Sequence, residues 1–129
     1  MVNRTKQMAL RVITVVRSLP VSAEGSVLGK QVLRSATSVA ANYRAACKAR
    51  SHKDFIYKLG ICEEGADETQ LWLELIADSK LMKRSRMESL LKEVSELTAI
   101  FAASRITALK KSSKSKISNR QSQIENRQS

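Results

Sequence analysis

The feature that most constrains this chain is a seam: Phe55, Leu59, Cys62, Ala66, Thr69, Leu73 and Ile76 alternate four- and three-residue intervals without a break. That rhythm belongs to an α-helix packed against near-parallel neighbours, and a strand cannot reproduce it. Turn residues agree with this reading. Proline occurs once and glycine four times in 129 residues, too few for the tight turns of a sandwich, a barrel or a dinucleotide-binding α/β unit. The length suits one domain with one modest core, which excludes a multidomain enzyme. The fold class is therefore all-α.

Three further helices flank the seam helix. The first is predicted over residues 3–19, with Met8, Val12, Val15 and Leu19 on one stripe, Asn3 as N-cap and Pro20 ending the helix. The second, over 26–47, carries Leu28, Val32, Ser35, Val39, Asn42 and Ala46, a heptad seam with two polar members. Ser51 to Asp54 forms a capping box that starts the third helix, predicted over 52–81. Gly60 and Gly65 lie inside it at a cost of about 1 kcal/mol each relative to Ala, so another backbone is expected to come close there. Ser85 to Glu88 reads as a second capping box, opening a fourth helix over 86–109 with Met87, Leu90, Val94, Leu97 and Phe101 inward. Short links make sequential helices antiparallel, so residues 1–109 should form an up-down-up-down four-helix bundle.

From Lys110 the composition turns to Lys, Ser, Asn, Gln and Arg, and residues 110–129 are expected to form a disordered basic tail. Asn119-Arg120-Gln121-Ser122 recurs there as Asn126-Arg127-Gln128-Ser129. At the other end, Arg11 interrupts the apolar run from Met8 to Val16 and no small-residue cleavage site follows, so no export signal is read. No uncharged run approaches the roughly 18 apolar residues of a membrane span. A cytoplasmic protein without membrane partners is expected, its Cys47 and Cys62 reduced and acting as small apolar side chains.

Lys and Arg number 23 against 12 Asp and Glu, a net +11, and such an excess points to an anionic partner. Its distribution is uneven. Residues 1–58 carry +9, residues 59–109 carry −3 and the tail carries +5. Two readings of this pattern stand side by side. Arg34, Arg44 or Arg50 can pair with Glu63, Glu64, Asp67 or Glu68 and fix helix register within or between chains. Alternatively Lys30, Arg44, Lys48, Arg50, Lys53 and Lys58 form a surface for nucleic-acid phosphates. With aromatics at 4%, a platform for stacking single strands is not expected.

Leu71 and Leu75 point away from the third helix's seam, with Trp72 on the flank between, so the helix is apolar nearly all round here. A lone bundle leaves them wet, and self-association is the expectation. Asn42 is expected to be a buried polar group that sets register.

Catalytic chemistry finds little material. His52 is the one histidine, placed beside a capping serine as an exposed helix-start residue. With two cysteines it makes three soft ligands at the wrong spacing for structural zinc. Glu63, Glu64, Asp67 and Glu68 lack the Glu-x-x-His partners of a di-metal bundle. No phosphate loop, nucleophile elbow or Cys/His pair is present. The chain reads as a non-enzyme that needs no cofactor and no metal.

The stretch from Val32 through Arg34-Ser35, Ser38, Asn42-Tyr43-Arg44 and Arg50-Ser51 to Phe55 and Lys58-Leu59-Gly60, continuing through Glu63-Glu64, Asp67-Glu68 and Trp72-Leu73-Glu74-Leu75, resembles the bacterial four-helix-bundle family named after the 23S rRNA intervening sequence. Glu96-Leu97-Thr98-Ala99-Ile100-Phe101 is similar to that family's last helix, and the likeness covers roughly residues 5–108. Where some relatives have Gly or Pro near Ser38-Val39, this chain has Ala40-Ala41, which favours a continuous helix. The resemblance implies an antiparallel bundle assembled as a ring, usually a homopentamer, without enzymatic activity. The accessory protein of diversity-generating retroelements is similar in fold, which implies RNA or DNA and a reverse transcriptase as partners. The resulting expectation is a homo-oligomeric bundle with a basic, sequence-nonspecific nucleic-acid surface. Its alternative is a purely structural, protein-binding oligomer held by Arg34, Asn42, Glu64, Glu68, Leu71, Trp72 and Leu75.

Overall fold

A computed structural model describes residues 1–128, and among these residues the chain is all helix and connection, without a strand. The helices are α1 (Val2–Arg17), α2 (Ala23–Ala46), α3 (His52–Asp78) and α4 (Glu88–Gln128), with a single 3-10 turn at Arg84–Arg86 before α4. α1 packs on α2 and α4, and α3 packs on the same two, which closes a four-helix bundle. Among the described residues no helix is long and apolar enough to cross a membrane.

The inward positions are the periodic ones. Met8, Val12 and Val15 of α1, Val32, Ala36 and Val39 of α2, and Val94, Leu97 and Phe101 of α4 are buried in one continuous core. α3 contributes Leu59, Cys62, Ala66, Leu73 and Ile76 to that core, and Thr69 is buried beside it. Phe55, first in the seam, is half-buried against its edge. Each fully buried Leu, Ile or Phe contributes about 1.5–3 kcal/mol of transfer free energy, so this apolar lining dominates what holds the helices together.

Helix ends differ from expectation in instructive ways. α1 begins at Val2, before Asn3, and no side chain caps it. α2 begins three residues earlier than expected because the Ser22 hydroxyl accepts the Gly25 N–H at 3.0 Å. α3 begins as predicted, with Ser51 Oγ accepting the Asp54 N–H at 3.0 Å. The Asp54 carboxylate turns instead to Lys58 Nζ, at 2.6 Å. α3 stops at Asp78 because Lys80 takes a left-handed conformation (φ 64°). Leu81 N–H then reaches back to Ile76 O at 3.2 Å and satisfies a helix-end carbonyl. The second predicted box does not form: Ser85 lies in the 3-10 turn, which no side chain caps.

The largest difference is at the C-terminus. Residues 110–128, expected to be disordered, continue α4 as helix, and Ser129 lies outside the described residues. From Glu88 to Gln128 there is neither Gly nor Pro, so nothing in the backbone stops a helix whose first turns the bundle has already nucleated. α2 is likewise continuous through Ala40 and Ala41.

Candidate nucleic-acid interface

The corner where α2 turns into α3 gathers positive charge for local reasons. Arg44 and Lys48 are one turn apart at the end of α2, where cations complement the helix dipole. Arg50 lies in the link and Lys53 in the first turn of α3, because the Ser51 cap fixes where that helix starts. All four side chains are exposed, and none has an ion pair among the described residues.

The two other predicted cations stand apart. Lys58 is engaged by Asp54 four residues earlier and is half-buried, so its charge is locally balanced. Lys30 is exposed fourteen positions before Arg44, roughly 21 Å along the helix. It borders the cleft at the α1–α2 turn together with Leu19, Pro20 and Gly29.

Most remaining inter-element ion pairs tie helices together. The Arg4 guanidinium reaches from α1 to α4, its Nε donating to Glu93 Oε2 at 3.0 Å and its Nη2 to Glu96 Oε2 at 2.8 Å. That hydrogen bond with Arg4 holds the Glu93 carboxyl below its usual range, outweighing the opposing effect of burial. Arg34 pairs with Glu68 across α2 and α3. Glu63 pairs with Arg105 of α4 at 2.8 Å, a partner sequence reasoning did not name. Register pairing therefore claims Arg34, Glu63 and Glu68, but not Arg44 or Arg50. Glu64 and Asp67 remain exposed beside a cleft that Gly60, Thr98 and Arg105 complete.

The buried polar contacts sort in the same way. Ser35 and Thr69 are fully buried, and Thr69 Oγ1 lies 2.8 Å from Ser35 Oγ across the α2–α3 interface. Asn42 is not buried as expected. It is half-buried and its amide donates to Ser38 O within its own helix at 2.9 Å. Burial pushes the Cys62 thiol up to about 12, while Cys47 is exposed at the basic corner. Leu71 and Leu75 are 48% and 39% exposed, and Trp72 is half-buried with its indole N–H lacking an acceptor. A groove formed by Ala23, Val27, Leu28, Leu75 and Ser79 continues this apolar surface. Among the described residues no three His, Cys, Asp or Glu side chains converge on a point where a metal ion would sit.

One contact was not legible beforehand. The His52 ring spans from α3 to α4, with Nε2 2.8 Å from Ala108 O, so the ring nitrogen donates there. His52 is exposed as expected, yet it ties the corner to α4 and brings Lys111 to the same end of the bundle.

Comparison with known proteins fits this arrangement. The profile of the 23S rRNA-intervening sequence protein family matches residues 1–103. A crystal structure of a protein of unknown function from the S23 ribosomal protein family of Bacteroides thetaiotaomicron VPI-5482 is 33% identical and superposes with a TM-score of 0.73, covering 79% of this chain and 94% of that one. No curated protein matches. The chain belongs to the 23S rRNA-intervening sequence protein family.

Proposed function

We propose that this member of the 23S rRNA-intervening sequence protein family is a non-enzymatic, homo-oligomeric subunit. Its α2–α3 corner binds the phosphate backbone of RNA or DNA without reading sequence. The observation that carries the reading is the set of four exposed cations, Arg44, Lys48, Arg50 and Lys53, left without carboxylate partners while the inter-helix arginines have them. Phosphates supply the missing counter-charge, and counterion release supplies the driving force. A reverse transcriptase is the protein partner that the family likeness suggests for such a complex.

The bundle path in this reading is up-down-up-down. Supporting it, residue pairs on facing helices run in opposite directions: Arg34 with Glu68 and Val39 with Cys62, then Arg4 with Glu93 and Arg11 with Ser89. The oligomer is a closed ring, a pentamer, formed through the exposed apolar surface of Val27, Leu71 and Leu75, which water would otherwise cover.

Charge reversal tests the nucleic-acid reading. Four contacts predict a log-log salt slope of about −3 for single strands and about −3.6 for duplexes. In R44E/K48E the slope should shrink by about 1.4 for single strands and about 1.8 for duplexes, and binding should fall at every sequence, with sedimentation unchanged. Loss of assembly with no change in nucleic-acid affinity refutes the reading and favours the structural alternative.

A further inference from the structure

Beside the basic corner, a cleft of ≈ 360 Å³ opens between the start of α3 and the face of α4. His52 and Phe55 stand on the α3 side, their ring centroids 6.4 Å apart. Ala103, Ser104, Thr107 and Ala108 line the α4 side, and Lys111 closes the far rim. The lining is mostly apolar, yet Ala103 and Thr107 are exposed, so nothing among the described residues covers it. Because Nε2 of His52 donates to Ala108 O, the ring is held in place, and its Nδ1 has no partner among the described residues. The cleft thus offers an apolar wall, a ring held by a hydrogen bond and one hydrogen-bond acceptor, with Lys111 on its rim and the exposed Lys53 next to His52 in the chain.

We infer that this cleft receives one unstacked nucleobase of a single strand whose flanking phosphates lie on Arg50, Lys53 and Lys111. This rests on the nucleic-acid reading above and adds to it a preference for single strands. The occupant is chosen by charge. A free apolar side chain would fill the cleft equally well, but it has no use for Lys111 on the rim or for the exposed Arg50 and Lys53 beside His52 in the chain, whereas an internal base of a strand is flanked by two phosphates. The low aromatic content leaves room for one such position, not for an extended platform. A paired base cannot enter, because its faces are stacked and its edge is engaged.

The experiment uses the full chain and two oligonucleotides of equal length, a single strand and its duplex, read by fluorescence anisotropy at matched salt. A third probe replaces the central nucleotides of the single strand by abasic sites. The intact single strand should bind about tenfold more tightly than either of the others. In A103L/T107L, which fills the cleft from two exposed helix positions, that preference should vanish while duplex binding and the circular dichroism spectrum stay unchanged. Equal affinity of the parent protein for all three probes, or a preference that survives in A103L/T107L, overturns the pocket but leaves the phosphate surface standing. Absence of binding to every probe overturns both.

Discussion

Two glycines in one helix give the packing its sharpest test. Gly60 and Gly65 are both mid-helix in α3, and both should gain about 1 kcal/mol of helix propensity on replacement by Ala. Their surroundings differ. A Cβ at Gly65 would sit 2.9 Å from Val39 Cγ2, whereas at Gly60 the nearest atom is Arg105 Cδ at 3.7 Å, an ordinary contact. Val39 is 1% exposed and β-branched, so it has no free rotamer into which to retreat. Overpacking of this kind costs about 1–3 kcal/mol, which exceeds the propensity gain at Gly65. G60A should therefore raise stability by up to about 1 kcal/mol, and G65A should lower it by up to about 2 kcal/mol. Urea unfolding at fixed protomer concentration measures both, since an oligomer's midpoint depends on concentration. V39A removes the obstructing methyl groups, so G65A introduced into V39A should be neutral or stabilising. If G65A stabilises the parent protein as much as G60A does, α2 and α3 are not as close at this level as described.

Other consequences are checked separately. Glu93 has a folded-state pKa below its unfolded one, so its contribution is present above the ordinary carboxylate range and is lost as pH falls through the lowered value. E93Q should therefore flatten the acid limb of the pH–stability curve, and an unchanged limb refutes the role. Cys47 should react with a thiol reagent at pH 8 in the native protein while Cys62, buried and with its pKa near 12, should not; two fast thiols per chain contradict this. S35A and T69V should each cost about 0.5–1.5 kcal/mol, and a double-mutant cycle in urea should return a coupling near 1 kcal/mol. Strict additivity would mean that the two hydroxyls do not act together.

The four helices were legible because each buries its own three-four series, a property fixed by sequence spacing alone. Met8, Val12 and Val15, or Leu90, Val94 and Leu97, point inward wherever the helix lies. Ends were less legible. Ser51 was visible through the acid three residues on, while Ser22 caps with glycine at that position and gives no such signal. Lys80 stops α3 in a conformation that usually calls for glycine, and no composition cue marks it. Partners across the bundle were the least legible. Arg4 and Glu93 are 89 residues apart, and His52 and Ala108 are 56 apart, so their meeting depends on how each helix is rotated about its axis. Spacing says which face turns inward but not which surface side chains then come abreast. The same limit explains Asn42, whose place on the seam suggested burial but whose amide stays within α2.

The corner is not alone in lacking carboxylates, since Lys6, Arg17, Lys83 and Arg86 are also exposed without an ion pair among the described residues; what it adds is four such cations between positions 44 and 53. Along the bundle's length Arg4, Arg34 and Arg105 are each paired with an acid on a neighbouring helix. At the α2–α3 turn the chain leaves the bundle's side. The residues there face solvent, and the one nearby acid, Asp54, is already engaged by Lys58. Dipole complementarity at the end of α2 accounts for Arg44 and Lys48, since helix C-termini favour cations. It gives no reason for Arg50 in the link, and it predicts the opposite charge for Lys53, which stands in a first helical turn where anions are favoured. A cation placed against its helix dipole, next to others without partners, is costly for the isolated fold. An external anion would offset that cost, and so Lys53, more than the net charge of the whole chain, is the residue on which the proposed phosphate contact should be tested first.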